Sequence, residues 1–268
     1  MSDLGPGAAG DLAGHVVILT GAGGGIGRET AGLLAAAGAT IVCVDIDARV
    51  DPVVEEIIAL GRQAVAEQVD ISRQVEVEAL VERTIERFGR LDGFVNNAAV
   101  IKTNLTADVS EEELDLILAV NLKGVFFGCK AAARVMSAAG SGSIVNVASS
   151  AIDLALPQTV AYSMAKAGVA QLTKCLAAEV GPQGVRVNTV APGFVITPMT
   201  SRHFTNEDGT IDEAKKAETI KRLTPGKVLP DATEAVDIAQ AILFLLSPAA
   251  RQFTGQILRP NGGISMPW

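Results

Sequence analysis

Aromatic residues are scarce in this chain of 268 residues: Phe, Trp and Tyr make up 4% of it, and Tyr162 is the single tyrosine. Chemistry that needs a phenol therefore has one address. The three cysteines, Cys43, Cys129 and Cys175, are isolated and odd in number. Set in apolar runs, they read as reduced core residues and exclude a disulfide framework. The two histidines, His15 and His203, have no partner at ligand spacing, so no metal site is expected. Cations are outnumbered, with 22 Lys and Arg against 30 Asp and Glu and a net charge of −8. A binder of nucleic acid neutralises phosphates with Lys and Arg, so DNA and RNA are not expected as partners. No apolar run is read as reaching the roughly 18 residues of a membrane span. The start, MSDLGPGAAGDLAG, lacks the basic flank and apolar core of a signal peptide, and a cytoplasmic protein without membrane association is expected. There is no Pro/Gly/Ser-rich linker, charge block, repeat or low-complexity tract. With 49% hydrophobic residues, a flexible extension at 1–11 and one domain at 12–268 are expected.

What is present alternates. HVVILTG, from His15, is a short β-branched run, and IGRETAGLLAAAG after it has helical periodicity closed by Gly38. ATIVCVDID follows as a strand, completing a βαβ unit. PVVEEIIALG, QAVAEQVDIS and VEVEALVERTIERFG continue as helix, strand and helix, and LDGFVNNAAV as a fourth strand. From Ser110, EEELDLILAVNLKGVFFGCKAAARVM predicts two helices meeting near Asn121, with acids gathered at the start where the helix dipole favours them. SIVNVA, the helix around Tyr162, VRVNTVAPG, a helix from Thr233 to Leu246 and the strand GQILRP complete the chain. This pattern predicts an α/β fold with a doubly wound parallel sheet. The polar, charged segment 197–230 follows a strand's carboxyl end and reads as a substrate lid or as a surface excursion without a role.

TGAGGGIG, from Thr20 to Gly27, does not fit G-x-G-x-x-G, because a match starting at Gly21 needs glycine at Ile26. Its context is more telling than its spacing. Gly21, Gly25 and Gly27 lie between a buried strand and a helix start, where backbone amides can approach a pyrophosphate. Asp45 ends the second strand near the ~20-residue offset of an acid that meets the adenosine ribose hydroxyls. Its charge would repel a 2′-phosphate, and no Arg or Lys stands at Gly24, Ile46 or Asp47, so NAD is expected over NADP.

Tyr162 and Lys166 stand four residues apart in a helical run and would emerge on one face. The same spacing fits an ordinary amphipathic turn. A phenol titrates near ~10 in water, and a neighbouring ammonium favours the phenolate, which would make Tyr162 an acid/base. Ser149 follows an apolar strand, and ligands in open α/β sheets sit outside such carboxyl ends.

These residues together carry a resemblance to the classical short-chain dehydrogenases/reductases, from about Leu12 to the end. TGAGGGIG stands for TGxxxGxG, NNAA for NNAG, and VNLKG supplies its asparagine. A serine thirteen residues before the tyrosine, YSMAK for YxxxK and APGFVIT for PGxxxT complete the set. The resemblance implies a Rossmann-like sheet of about seven strands and a catalytic tetrad of Asn121, Ser149, Tyr162 and Lys166. Tyr162 would exchange a proton with the substrate oxygen and Ser149 would orient that oxygen. Lys166 would bind the nicotinamide ribose and lower the phenol's pKa, and Asn121 would hold a relaying water. Hydride would pass directly between the carbinol carbon and the nicotinamide. By the same resemblance Gly21, Gly25, Ile26 and Gly27 would line the pyrophosphate, Asp45 the adenosine ribose, and Asp70 and Ile71 the adenine. Asn97 and Ala98 would meet the middle of the cofactor and Val195 and Thr197 its carboxamide, with Pro192 and Gly193 shaping the turn beneath. Asp92 would brace the sheet.

The departures are Ala99 for the last glycine of NNAG, SSxxG without its glycine, since Ser149-Ser150 runs on through Ala151, Ile152 and Asp153, and RPNGG with Pro260 and Asn261 in place of the terminal VDGG. The expected activity is NAD-dependent interconversion of a secondary alcohol and a ketone by a homotetramer. Ile152, Leu154, Leu156, Val195 and Met199 suggest an apolar substrate or, equally, core. The alternatives are reduction of a 3-oxoacyl thioester with NADPH, and a dinucleotide-binding regulatory protein without chemistry.

Overall fold

The first strand shows why the sheet is central. In the computed structural model, which describes residues 10–201, 204–206, 208–230 and 232–267, every residue of β1 (Val16–Thr20) is buried. Most of the expected extension at 1–11, together with His203 and the side chain of Met199, lies outside the described residues. A strand buried on both faces needs helices on both sides, and the chain supplies them in alternation. α1 (Gly25–Ala36), β2 (Thr40–Asp45), α2 (Asp51–Ala59), β3 (Ala64–Gln68), α3 (Gln74–Phe88) and β4 (Gly93–Asn96) form the first half. α4 (Glu111–Leu118), α5 (Val125–Ala139), β5 (Gly142–Val147), α6 (Val160–Val180) and β6 (Val185–Val190) follow.

After β6 come β7 (Val195–Ile196), α7 (Pro198–Ser201), α8 (Glu213–Leu223), β8 (Thr233–Glu234), α9 (Ala235–Leu246) and β9 (Ile257–Leu258). The main sheet has seven strands in the order β3-β2-β1-β4-β5-β6-β9, all parallel. The expected Rossmann-like, doubly wound single domain is therefore present. Strand order reverses between β1 and β4, and the carboxyl ends there form the crevice of the fold.

Period-two alternation divides the core. Val17 and Leu19 face one layer with Leu34 of α1 and Ile242 of α9. Val16 and Ile18 face the other with Leu80 of α3, Met136 of α5 and Val169 of α6.

Three sequence expectations are corrected. The last helix begins at Ala235, because Thr233–Glu234 pairs with β7 in a separate two-stranded sheet and Glu234 and Asp237 form a capping box. The 197–230 segment thus hangs between these two paired strands. Cys43 and Cys129 are buried as expected, but Cys175 is exposed on the outer face of α6. Finally, α4, a π turn and α5 run continuously as Glu111–Ala139, 29 residues long and apolar enough by composition to cross a membrane. Half of its apolar window is buried within the protein, with Ile117, Val125, Cys129 and Met136 in the core.

Candidate active site

The glycine loop is held by close packing at Gly21 and Gly27 that leaves room for no side chain. A Cβ on Gly27 would overlap the carbonyl oxygen of Gly21, and one on Gly21 would come within 2.7 Å of Ala98 Cα. Gly21 also has φ of 67°, a left-handed conformation that glycine adopts without strain. Asn97 secures the loop from across the crevice, its Nδ2 donating to the carbonyls of Thr20 (3.0 Å) and Gly21 (3.1 Å). The amides of Asn97 and Ala98 both donate to Thr20 Oγ1. No side chain caps the N-terminus of α1 and no acid stands in its first turn. Its positive end therefore faces the crevice uncompensated by protein, which suits a pyrophosphate. Ile26 packs partly into the core, so only its backbone is available to a ligand.

Asp45, at the end of β2, is largely buried, with a side-chain exposure of 13%. Its Oδ2 accepts from the Gly23 amide (3.0 Å) and its Oδ1 from the Ile46 amide (2.8 Å). This fixes a carboxylate beside the glycine loop. Sequence reasoning missed Arg49, whose guanidinium lies 3.7 Å from Asp45 Oδ1 while bonded to Asp47 at 2.8 Å. The intervening Ala48–Val50 forms a short 3₁₀ turn, which brings it back. Asp70 follows β3 and accepts from the amide and hydroxyl of Ser72, shaping the turn beside buried Ile71. Asp92 braces the sheet as expected: its Oδ2 accepts from the Val16 amide (2.8 Å) and Arg90 pairs with it.

Three of the four expected catalytic residues, Ser149, Tyr162 and Lys166, lie around the carboxyl end of β5. Ser149 is in extended backbone and caps a 3₁₀ turn, Ser150–Ile152, its Oγ accepting from the Ala151 amide (3.2 Å). Lys166 is 1% exposed, and its Nζ donates to the carbonyl of Val147 at 2.7 Å. The same Nζ lies 5.6 Å from the centre of the Tyr162 ring. Burial pushes the Lys166 pKa down to about 8. Tyr162 keeps part of its surface open to the crevice. Its phenol is pushed up by burial, opposed by a hydrogen bond with Ser149. The sequence reading had the ammonium as the governing influence; in the structure desolvation governs, and the proton is held more tightly than in water.

Asn121 is fully buried in the π turn Ala119–Gly124 between α4 and α5. Its Nδ2 donates to the carbonyl of Val100 (2.7 Å) and its Oδ1 accepts from the Val100 amide (2.9 Å). The side chain thus ties down the loop after β4. Such π turns are frequent at functional sites.

The last group reaches the crevice from β6. The Pro192 carbonyl accepts from the Ser150 amide at 2.7 Å. Gly193 lies against Asn261, where a Cβ would come within 3.1 Å. A Cβ on Gly25 would lie 3.3 Å from Thr197, so Thr197 closes over the start of α1. Val195 is 5% exposed and belongs to the core. Its side chain is therefore removed from the proposed substrate contacts. Ile152, Leu154 and Leu156 retain exposure after Ser149.

Comparison with known proteins agrees with this geometry. A family model described as enoyl-(acyl carrier protein) reductase matches residues 21–265. The chain is 37% identical over 257 residues to levodione reductase of Leifsonia aquatica, covering 94% of each chain. It is also 37% identical over 258 residues to a 3-oxoacyl-[acyl-carrier-protein] reductase of Synechocystis sp., covering 95% of this chain and 98% of the relative. The crystal structure of levodione reductase superposes with a TM-score of 0.86 at 34% identity, covering 94% of this chain and 97% of the other. A structure from Beutenbergia cavernae, provisionally assigned as an NAD(P)-dependent gluconate 5-dehydrogenase and holding NADP, gives 0.86 at 32% identity, with 96% and 98% covered.

Proposed function

The chain belongs to the short-chain dehydrogenase/reductase family of oxidoreductases, and on that premise we propose that it interconverts a secondary alcohol and a ketone with NAD as the preferred dinucleotide. The observation that carries this reading is the convergence of Ser149, Tyr162 and Lys166 at the end of β5, across the crevice from the glycine loop. The dinucleotide, when bound, supplies or accepts the hydride. Gly21, Gly25 and Gly27, with the Ile26 backbone, would hold its pyrophosphate, and Asp45 its adenosine ribose. Asp70, Ile71, Asn97 and Ala98 would flank the adenine half and middle. Pro192, Gly193, Thr197 and the backbone of Val195 would flank the carboxamide.

Tyr162 holds the proton that moves to or from the substrate oxygen, and Ser149 hydrogen-bonds the same oxygen. Lys166, anchored on the Val147 carbonyl, would hold the ribose hydroxyls. Because the Asn121 amide serves Val100, a relaying water would be held by main-chain groups of its π turn. Segment 197–230 covers the substrate as a lid, and Ile152, Leu154 and Leu156 favour an apolar, cyclic one.

We assign the protein to the cytoplasm as a homotetramer, without nucleic-acid or membrane partners. A groove of about 380 Å³ between α5 and α6, lined by Phe126, Leu172, Cys175 and Leu176, supports one of its interfaces. Phe126 is 48% exposed there.

NAD preference rests on Asp45. A carboxylate about 4 Å from a 2′-phosphate costs on the order of 1 to 4 kcal/mol, equivalent to roughly fivefold to a thousandfold in affinity. Arg49 beside it moderates that repulsion. A panel of secondary alcohols with NAD and NADP, read by absorbance of the reduced nicotinamide, should show NAD favoured roughly tenfold or more. Asp45→Ala should narrow that gap, and a wild-type preference for NADP would contradict the assignment. The relation to a 3-oxoacyl reductase favours one second reading, thioester reduction with NADPH, and the same panel extended to 3-oxoacyl thioesters separates the two. Binding of NADH without oxidation by any carbonyl would favour a regulatory protein.

A further inference from the structure

The turn that carries Ser149 is fastened from outside. At Asp153, where the family pattern SSxxG has its glycine, the chain places a carboxylate whose side chain is only 11% exposed. It receives three donors: Arg259 Nε at 2.6 Å, Arg259 NH2 at 3.1 Å and Ser265 Oγ at 3.2 Å. The guanidinium is itself aimed by a bond from NH1 to the Ile257 carbonyl at 3.1 Å. Two parallel charge-assisted bonds on a partly buried pair fix orientation as well as distance. Arg259 follows β9 directly, so its backbone is held by the main sheet.

At the other end, Asp153 closes the 3₁₀ turn that Ser149 opens. The amides of Asp153 and Leu154 donate to the Ser150 carbonyl at 2.9 and 3.0 Å, and Ala151 donates to Ser149 Oγ. Any rotation of Asp153 therefore moves the serine hydroxyl. The tail beyond Arg259 continues the network. Asn261 Nδ2 donates to the Ser265 carbonyl and hydroxyl, and the Gly262 carbonyl accepts from the amides of Val228 and Leu229. Hydrogen bonds, joined through the adjacent residues Asn261 and Gly262 of the tail, thus connect the end of the 197–230 segment to the Ser149 turn.

We infer that Asp153 and Arg259 form a positioning clasp that sets the Ser149 hydroxyl in the crevice and joins it to the tail that holds the end of the 197–230 segment. The clasp rests on the reading of Ser149 as the group that orients the substrate oxygen. It also accounts for one place where this chain leaves the family pattern: a glycine replaced by an acid, which Arg259 meets from the tail. Neither residue touches the reacting atoms, so their effect passes through Ser149.

Hydrogen exchange on the whole protein tests the clasp without any substrate. In Asp153→Asn and in Arg259→Gln, amides of 149–154 should exchange roughly tenfold faster or more, with the strands unchanged. The double variant Asp153→Arg with Arg259→Asp should restore part of the protection. In turnover, each single variant should lower kcat about tenfold while dinucleotide affinity stays within about twofold. Unchanged exchange at 149–154 overturns the clasp, and so does a rise spread evenly over the sheet, which would mark the pair as a general stabiliser. A wild-type protein that oxidises no alcohol would sink the proposed function and leave the exchange result to decide the clasp alone.

Discussion

Tyr162 holds its proton too tightly to be a resting base. Burial raises its pKa above the ordinary value of 10 against the single opposing bond from Ser149, so at neutral pH the phenol is protonated and, in the reaction proposed above, ready to give a proton to the substrate oxygen. Alcohol oxidation needs the phenolate. Its kcat/KM should therefore climb from pH 7 into the alkaline range by up to about tenfold per unit, while reduction stays level and falls only once the pH passes the raised phenol pKa. Rate profiles in both directions check this, and an oxidation rate flat from about pH 7 to 10 would contradict it. Lys166 adds a second sign. Its pKa of about 8 in the folded chain lies below the unfolded value, so unfolding takes up protons between about 8 and 10.5. Its contribution to stability then rises with pH through that window, by on the order of 3 kcal/mol in total. At this scale the sequence was most legible where chemistry needs a particular side chain in a fixed order, as at Asn121, Ser149, Tyr162 and Lys166. It was silent on Arg49, which reaches Asp45 only because Ala48–Val50 coils back. It left Val195 open between substrate contact and core and misplaced Cys175, because apolar residues beside a crevice and on a helix look alike whichever way they point.

Elements show the same division. Long buried strands such as Val16–Thr20 and Val185–Val190 announce themselves by β-branched runs. The pairs Val195–Ile196 and Thr233–Glu234 are too short to carry a period, and only tertiary pairing makes them strands. The π turn was half legible: a junction near Asn121 could be read, but Ala119–Gly124 keeps an apolar pattern that fits helix on either side. Its consequence can be measured. Asn121→Ala leaves the Val100 amide and carbonyl without their partner, and an unsatisfied buried polar group costs about 1–3 kcal/mol. Thermal unfolding should shift down by several degrees, with a loss of about 2 kcal/mol. A change within about 0.5 kcal/mol would place the holding of that loop elsewhere.

Across the whole molecule, parallel winding brings residues distant in sequence to one crevice. The glycine loop after β1, Asp45 after β2, Asn97 after β4, Ser149 after β5 and Pro192 after β6 all stand at carboxyl ends of the same sheet. One face of that crevice suits a dinucleotide and the other carries a phenol, a hydroxyl and an ammonium. Alternation of elements made this architecture legible, whereas the fastening of the Ser149 turn by the tail depends on two residues 106 apart and became visible only in the folded chain. The central claim is that the phenol of Tyr162 moves the proton while the dinucleotide is bound independently of it. Turnover and NADH binding of Tyr162→Phe, measured side by side, test that claim most directly. Turnover should fall by roughly 10² to 10⁴ with affinity for NADH within about twofold, whereas turnover retained near the wild-type rate would contradict it.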